Sequence, residues 1–244
     1  LGKLTHVVNA LWPLRETEAA FSCRRTAPQH HRRATVVRLL IFSPESIVIA
    51  SVKPMVLNDA RIREALLRKL ARQKARPRAV LEELHVLNGN AIADVVTLHN
   101  EAHCYEIKGE TDRIERITVQ GVYYNAAFRR ITLVTTECNL RRALELAPLF
   151  WGIMVAIGDD EAVRFRHYRA ARLNPNFEKQ SAAMTLWKSE MLELISEPGA
   201  ERKPRRLLAQ LIAETRRELE LSVNICDLLL ERCLQAQSFT SSTM

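Results

Sequence analysis

Three residues in this chain combine types and spacing that suit phosphate chemistry. Glu106 and Lys108 stand two apart in "HCYEIKGETD" (103–112), and Asp94 precedes Glu106 with eleven residues between them. On a strand, residues i and i+2 share a face, so Glu106 and Lys108 point one way while Tyr105 and Ile107 turn to a core. If Asp94 sits on the preceding strand of a hairpin, antiparallel pairing brings the two carboxylates together. Two acids so placed, with one lysine between them, repel each other. A hard divalent cation resolves the repulsion, because Mg2+ takes carboxylate and carbonyl oxygens and keeps several waters. The backbone carbonyl of Ile107 would complete that set. Mg2+ or Mn2+ held there would polarise a phosphoryl oxygen and ease the deprotonation of a bound water. Lys108 would orient that water or stabilise the charge developing at phosphorus. The reaction class is phosphodiester hydrolysis. An acid-x-lysine triplet alone is common by chance, and its plain alternative is a solvated ion pair.

The surrounding pattern supplies the elements such a site needs. "NDARIREALLRKLARQ" (58–73) has an apolar stripe of Ile62, Leu66, Leu67 and Leu70 behind an Asn58 or Asp59 N-cap, and Arg76-Pro77 ends it. "RAVLEELHVL" (78–87) reads as a strand, Asn88-Gly89 as a turn and "AIADVVTL" as a second strand. His99-Asn100 turns the chain into "AHCYEIK". A helix over 112–127, the β-branched strand "RRITLVTT", a short helix "NLRRALELA" and the strand "WGIMVAIG" follow. The order over 58–157 is α-β-β-β-α-β-α-β, which implies a mixed sheet flanked by helices. "DDEAVRFRHYRAARLNPNF" reads as basic and irregular. Helical segments are expected at 182–196, 205–220 and 222–236, and the last eight residues look frayed.

Asp94, eleven residues, then Glu106-Ile107-Lys108 in an α-β-β-β-α-β frame resembles the PD-(D/E)XK nuclease superfamily, and "RLNPNF…LWKSEMLELI" looks like the tail of small bacterial and phage members. The resemblance covers about residues 58–157. It implies a restriction-endonuclease-like core with a C-terminal helical extension, a Mg2+ (or Mn2+) cofactor, and Asp94, Glu106 and Lys108 as catalytic residues. A further acid often completes such sites. Strand alternation does not separate Glu82 from Glu83; the resemblance favours Glu83, with Glu64 on the first helix as runner-up. Gln120 and Tyr124, one helical turn apart, look like a Gln-x-x-x-Tyr element that supports the metal site from behind. Ala93 stands where the family often has Pro.

Eight Lys/Arg between 61 and 78 stand against Asp59 and Glu64. Such a helix face is often only solvated, but beside a phosphodiester site Arg61, Arg68, Lys69 and Arg72, with Arg113 and Arg116, would track a nucleic-acid backbone. Arg164, Arg166, Arg169 and Arg172 form a second basic group. His99 and His103 read as surface or turn histidines, and Cys104 as a small buried side chain.

The whole chain sets the bounds. Its 244 residues are 47% hydrophobic and 26% charged, enough for a full core. The five cysteines form no CxxC pair, which argues for a reducing, cytoplasmic setting and against a structural zinc site. No apolar run reaches the roughly 20 residues of a membrane span. Residues 1–54 hold 8 Lys/Arg against 3 acids and show no sustained period. They read as a disordered or non-native extension before Met55, with a nuclease-like domain at 55–160 and a basic linker and helical region at 161–244. The partner expected is nucleic acid, DNA before RNA, and the C-terminal stripes allow a homodimer. Two alternatives keep the residues and change the role: a catalytically silent nucleic-acid-binding module, or a phage or defence accessory acting through its helical tail.

Overall fold

The structure, a computed structural model, describes the backbone of residues 37–43, 46–52, 56–158 and 162–241, and the side chains of 56–158 and 162–236. Most of the 1–54 segment lies outside the described residues. Within it, β1 (Val37–Ser43) and β2 (Ser46–Val52) pair as an antiparallel two-stranded sheet.

The main body is an α/β fold on a six-stranded mixed open sheet. Its strands are β3 (Ala79–Val86), β4 (Ala91–Leu98), β5 (Ala102–Lys108), β6 (Arg130–Thr136), β7 (Gly152–Ile157) and β8 (Arg164–Arg169), hydrogen-bonded in that order. β3, β4 and β5 run antiparallel as a meander, β5, β6 and β7 run parallel, and β8 returns antiparallel at the edge. The parallel steps need crossovers. α2 (Ile117–Ala127) links β5 to β6, and α3 (Glu137–Leu146) links β6 to β7. With α1 (Asp59–Ala71) ahead of β3, the order expected over 58–157 is the order found.

The sheet buries both faces. On one, Ile62, Leu66 and Leu70 of α1 pack on Val95, Tyr105, Ile107, Val134 and Met154. On the other, Ala93, Cys104, Ile131, Leu133 and Ile153 meet Tyr124 of α2 and a group of C-terminal helices. These are α4 (Lys179–Ala183), α5 (Lys188–Glu193), α6 (Arg205–Thr215) and α7 (Glu218–Ser241). Burial on both faces explains why β7, "GIMVAI", reads as a continuous apolar run.

Three sequence expectations change. "RFRHYR" is strand β8 rather than irregular chain. It is an edge strand, mostly exposed, with Phe165 packed on the α1-side core, and its charges mask the alternation as charged edges do. The helix expected at 182–196 is two short helices, because the chain turns through Met184–Trp187, where Thr185 and Leu186 bond back to Ala182 and Ala183. The helix expected to end at 236 continues to Ser241, so the tail is helical for most of the stretch expected to fray.

Candidate active site

The β4–β5 ladder runs from Leu98↔Ala102 to Val95↔Tyr105 and stops one pair short of Asp94 and Glu106. Beyond that point the strands fork. The Ile107 N–H, which a continuing ladder would give to a β4 carbonyl, donates instead to Asp94 Oδ2 at 2.7 Å. Asp94 is therefore locked by the fork itself, with its second oxygen turned toward a cleft.

That cleft has a volume of about 320 Å3 and is lined by Asp59, Glu83, Ile92, Asp94, Ile107, Lys108, Asp112, Arg113, Arg116 and Gln120. Glu106 lies behind its wall. The side chain is fully buried and ion-paired to Lys108, whose ammonium also donates to the Ile107 carbonyl at 3.3 Å. Burial pushes the Glu106 carboxyl up to about 7, against the pull of the adjacent ammonium and with Asp94 adding to the rise. Glu106 Oε2 is buried and has no hydrogen-bond partner among the described residues; Gln120 Oε1 and Asp59 Oδ1 share that condition. Two acceptor oxygens without donors on the cleft lining, and a third just behind its wall, are chemically suited to a cation.

The acids on the opposite wall meet a side chain that sequence reasoning did not single out. Arg63, in the first half of α1, donates from Nη2 to Asp94 Oδ1 at 3.1 Å and to Asp59 Oδ2 at 3.3 Å, and from Nη1 to Glu83 Oε1 at 3.1 Å. Burial alone would lower its pKa, but Asp59, Asp94 and Glu83 together raise it. Asp59 is raised by burial first and by neighbouring Asp94 second. Asp112 enters from the loop after β5 and accepts the Gly109 N–H at 2.7 Å. Asp59 and Asp112 were also missed. Asp59 carried a signal, since an acid at i and an arginine at i+4 fall on one helix face, but only the tertiary fold shows which face meets Asp94.

The expected residues divide clearly. Asp94, Glu106 and Lys108 come together. Glu83 joins the cleft because it takes a left-handed backbone (φ 54°) that interrupts the β3 alternation, and this is why periodicity could not choose between Glu82 and Glu83. Glu64 does not reach the cleft; it pairs with Arg68 on the exposed face of α1. Gln120 lines the cleft and its amide faces Tyr124 Oη at 3.4 Å, while the buried Tyr124 donates to the Ile92 carbonyl at 2.7 Å. Arg113 and Arg116 stand on the cleft wall, whereas Arg61, Arg68, Lys69 and Arg72 lie along α1 outside it.

His103 is not a surface or turn residue. It stacks on Tyr105 (4.5 Å between ring centres), its Nε2 lies 2.9 Å from Thr132 Oγ1, and burial pushes its pKa down to about 3. Cys104 is fully buried, and burial raises its thiol well above the ordinary range. Among the described residues, no three His, Cys, Asp or Glu side chains are grouped closely enough to hold a metal ion by themselves. Nor is any described helix long and apolar enough to cross a membrane.

Comparison with known proteins places residues 53–239 within a match to the family described as bacteriophage P4 protein cII. "Protein cII" of Enterobacteria phage P4 is 23% identical over 125 residues, which is 49% of this chain and 46% of that protein. The matched stretch thus spans about half the length of that curated relative. No solved structure matches the chain.

Proposed function

The chain belongs to the bacteriophage P4 protein cII family, and from its cleft we propose a metal-dependent nuclease that hydrolyses phosphodiester bonds of DNA or RNA on a restriction-endonuclease-like core. The observation that supports this reading best is the fork: Asp94 pinned by the Ile107 N–H, directly beside the buried Glu106–Lys108 pair. The run α1-β3-β4-β5-α2-β6, antiparallel until β5 and parallel from β5 to β6, supports this reading, since it is compatible with the frame that the resemblance implies.

Asp94 and Glu106 are the residues that would hold Mg2+ or Mn2+, with the Ile107 carbonyl and the Gln120 carboxamide oxygen at hand and Glu83 or Asp59 as a further acid. Such an ion needs only one or two carboxylates, because it retains much of its water. When bound it supplies Lewis-acid activation of the phosphoryl group. The protein's own groups do the rest. The backbone N–H of Ile107 keeps Asp94 in one orientation. Lys108 carries a positive charge to the cleft wall, where it would orient an attacking water and offset charge developing at phosphorus. Arg113 and Arg116 would hold flanking phosphates, and Arg61, Arg68, Lys69 and Arg72 would extend the track along α1.

A second reading has its own observation. Three further oxygens that a cation would draw on, Asp94 Oδ1, Glu106 Oε1 and the Ile107 carbonyl, are engaged by Arg63 or Lys108. Acids neutralised from within also suit a nucleic-acid-binding module that cuts nothing. Incubating single-stranded, duplex and branched DNA and RNA oligonucleotides with the protein in Mg2+, Mn2+ or EDTA separates the two. Metal-dependent products lost in Asp94→Asn and Lys108→Met support the nuclease; tight binding in EDTA, with no products under any metal, supports the module.

A further inference from the structure

Both oxygens of Asp94 are engaged, but the two engagements differ in kind. Oδ2 receives a backbone N–H that belongs to the β4–β5 fork, so that contact persists as long as the sheet does. Oδ1 receives the guanidinium of Arg63, which sits on a flexible stem behind the cleft-lining acids with 17% of its side chain exposed. The same guanidinium has a second foothold on Glu83, whose side chain is 70% exposed at the cleft mouth. Arg63 can therefore leave Asp94 without leaving the site.

We infer that Arg63 is a built-in competitor for divalent cations at Asp94: an incoming ion takes Oδ1 only as the guanidinium withdraws toward Glu83. This rests on the reading of the cleft as a cation site. The physical ground is direct. A guanidinium and a divalent ion seek the same lone pairs, and two positive charges a few ångströms apart in a partly desolvated cleft repel strongly. Cation binding and the Arg63–Asp94 contact are thus negatively coupled, and the coupling is reciprocal. Glu83 supplies the displaced arginine with a partner, which accounts for an acidic residue held in a left-handed backbone at the cleft mouth.

The test is Mn2+ titration by calorimetry of the full chain, together with thermal unfolding with and without Mn2+, on wild type, Arg63→Met, Arg63→Lys and Asp94→Asn. The expected result is that Arg63→Met binds Mn2+ about ten-fold more tightly than wild type and gains a larger Mn2+-induced rise in Tm. Arg63→Lys, which keeps the charge but cannot span three carboxylates, should fall between them; it also decides the matter if the methionine variant does not fold. Asp94→Asn should abolish binding. Equal or weaker affinity in the Arg63 variants, with Asp94-dependent binding intact in wild type, would overturn the competition and make Arg63 a positioning residue, while the cation site stands. If no variant binds Mn2+ through Asp94, the cation reading falls and the inference with it.

Discussion

At the scale of single residues, the Glu106–Lys108 pair has measurable consequences that do not depend on the proposed catalytic role. Its carboxyl is raised from an ordinary 4.5 to about 7 in the folded protein, so the folded state binds more protons than the unfolded chain between those values. Its contribution therefore favours folding least above pH 7, and stability is regained as pH falls toward 4.5. Glu106→Gln should flatten that part of the pH profile, a difference on the order of 3 kcal/mol across the window, read by urea unfolding at several pH values. His103 works in the opposite sense. Half-buried in the sheet and neutral, it stabilises above its unfolded value of 6.5, and that contribution is lost as pH falls toward 3. Lys108→Met should cost about 3–5 kcal/mol at pH 8, because it leaves a buried carboxylate unpaired, and less at pH 5, where Glu106 is protonated. Asp94, Glu106 and Lys108 could be found from the sequence because strand period and hairpin spacing alone bring them close. Arg63, Asp59 and Asp112 could not, because they arrive from a helix and a loop whose docking no local pattern encodes.

At the scale of elements, the site depends on how the end of β5 meets the start of α1. Glu110 N–H donates to the Leu57 carbonyl at 2.9 Å, and Gly109 lies so close that an added Cβ would fall 2.8 Å from Leu57 O and 2.9 Å from Asp59 N. Only glycine fits there. Gly109→Ala should push the α1 N-terminus away from the fork, lowering Tm and weakening Mn2+ binding together; a destabilised variant with unchanged Mn2+ affinity would separate the two effects. The "RLNPNF" stretch has a comparable role on the other face. Buried Asn174 donates to the Asn125 and Phe128 carbonyls at 2.6 and 2.7 Å and accepts the Asn176 N–H at 2.8 Å, tying off the C-terminal end of α2. Asn174→Ala should cost about 2–4 kcal/mol by stranding those groups, measured by chemical denaturation. The element order was legible because the inner strands are β-branched and the helices keep their apolar stripe. β8 was not, since an edge strand carries charge on both faces, and neither was the break between α4 and α5, which arises from local back-bonding rather than from a Gly or Pro.

At the scale of the whole molecule, the C-terminal helices are not an appendage. Ala182, Leu186, Met191, Leu208, Ile212, Leu221, Ile225 and Leu229 share one core with Cys104, Ile131 and Leu133 of the sheet. Removing 181–244 should therefore give a chain without a cooperative unfolding transition, rather than a trimmed but folded domain. The net charge of +8 is consistent with an anionic partner, and Arg113 and Arg116 are the basic groups that charge would bring to a phosphate at the cleft. Substituting either by alanine should weaken oligonucleotide binding and reduce the salt dependence of the affinity by about one unit in the log–log slope.

The central claim is that Asp94 marks a cation site that cuts nucleic acid. Its most direct test is Mn2+ calorimetry on wild type and Asp94→Ala, with plasmid nicking measured on the same samples. The account predicts that wild type binds and nicks and that both vanish with Asp94. A wild-type protein that binds no Mn2+ would contradict it, leaving Glu106 and Lys108 as a buried ion pair and the cleft as a site for phosphate alone.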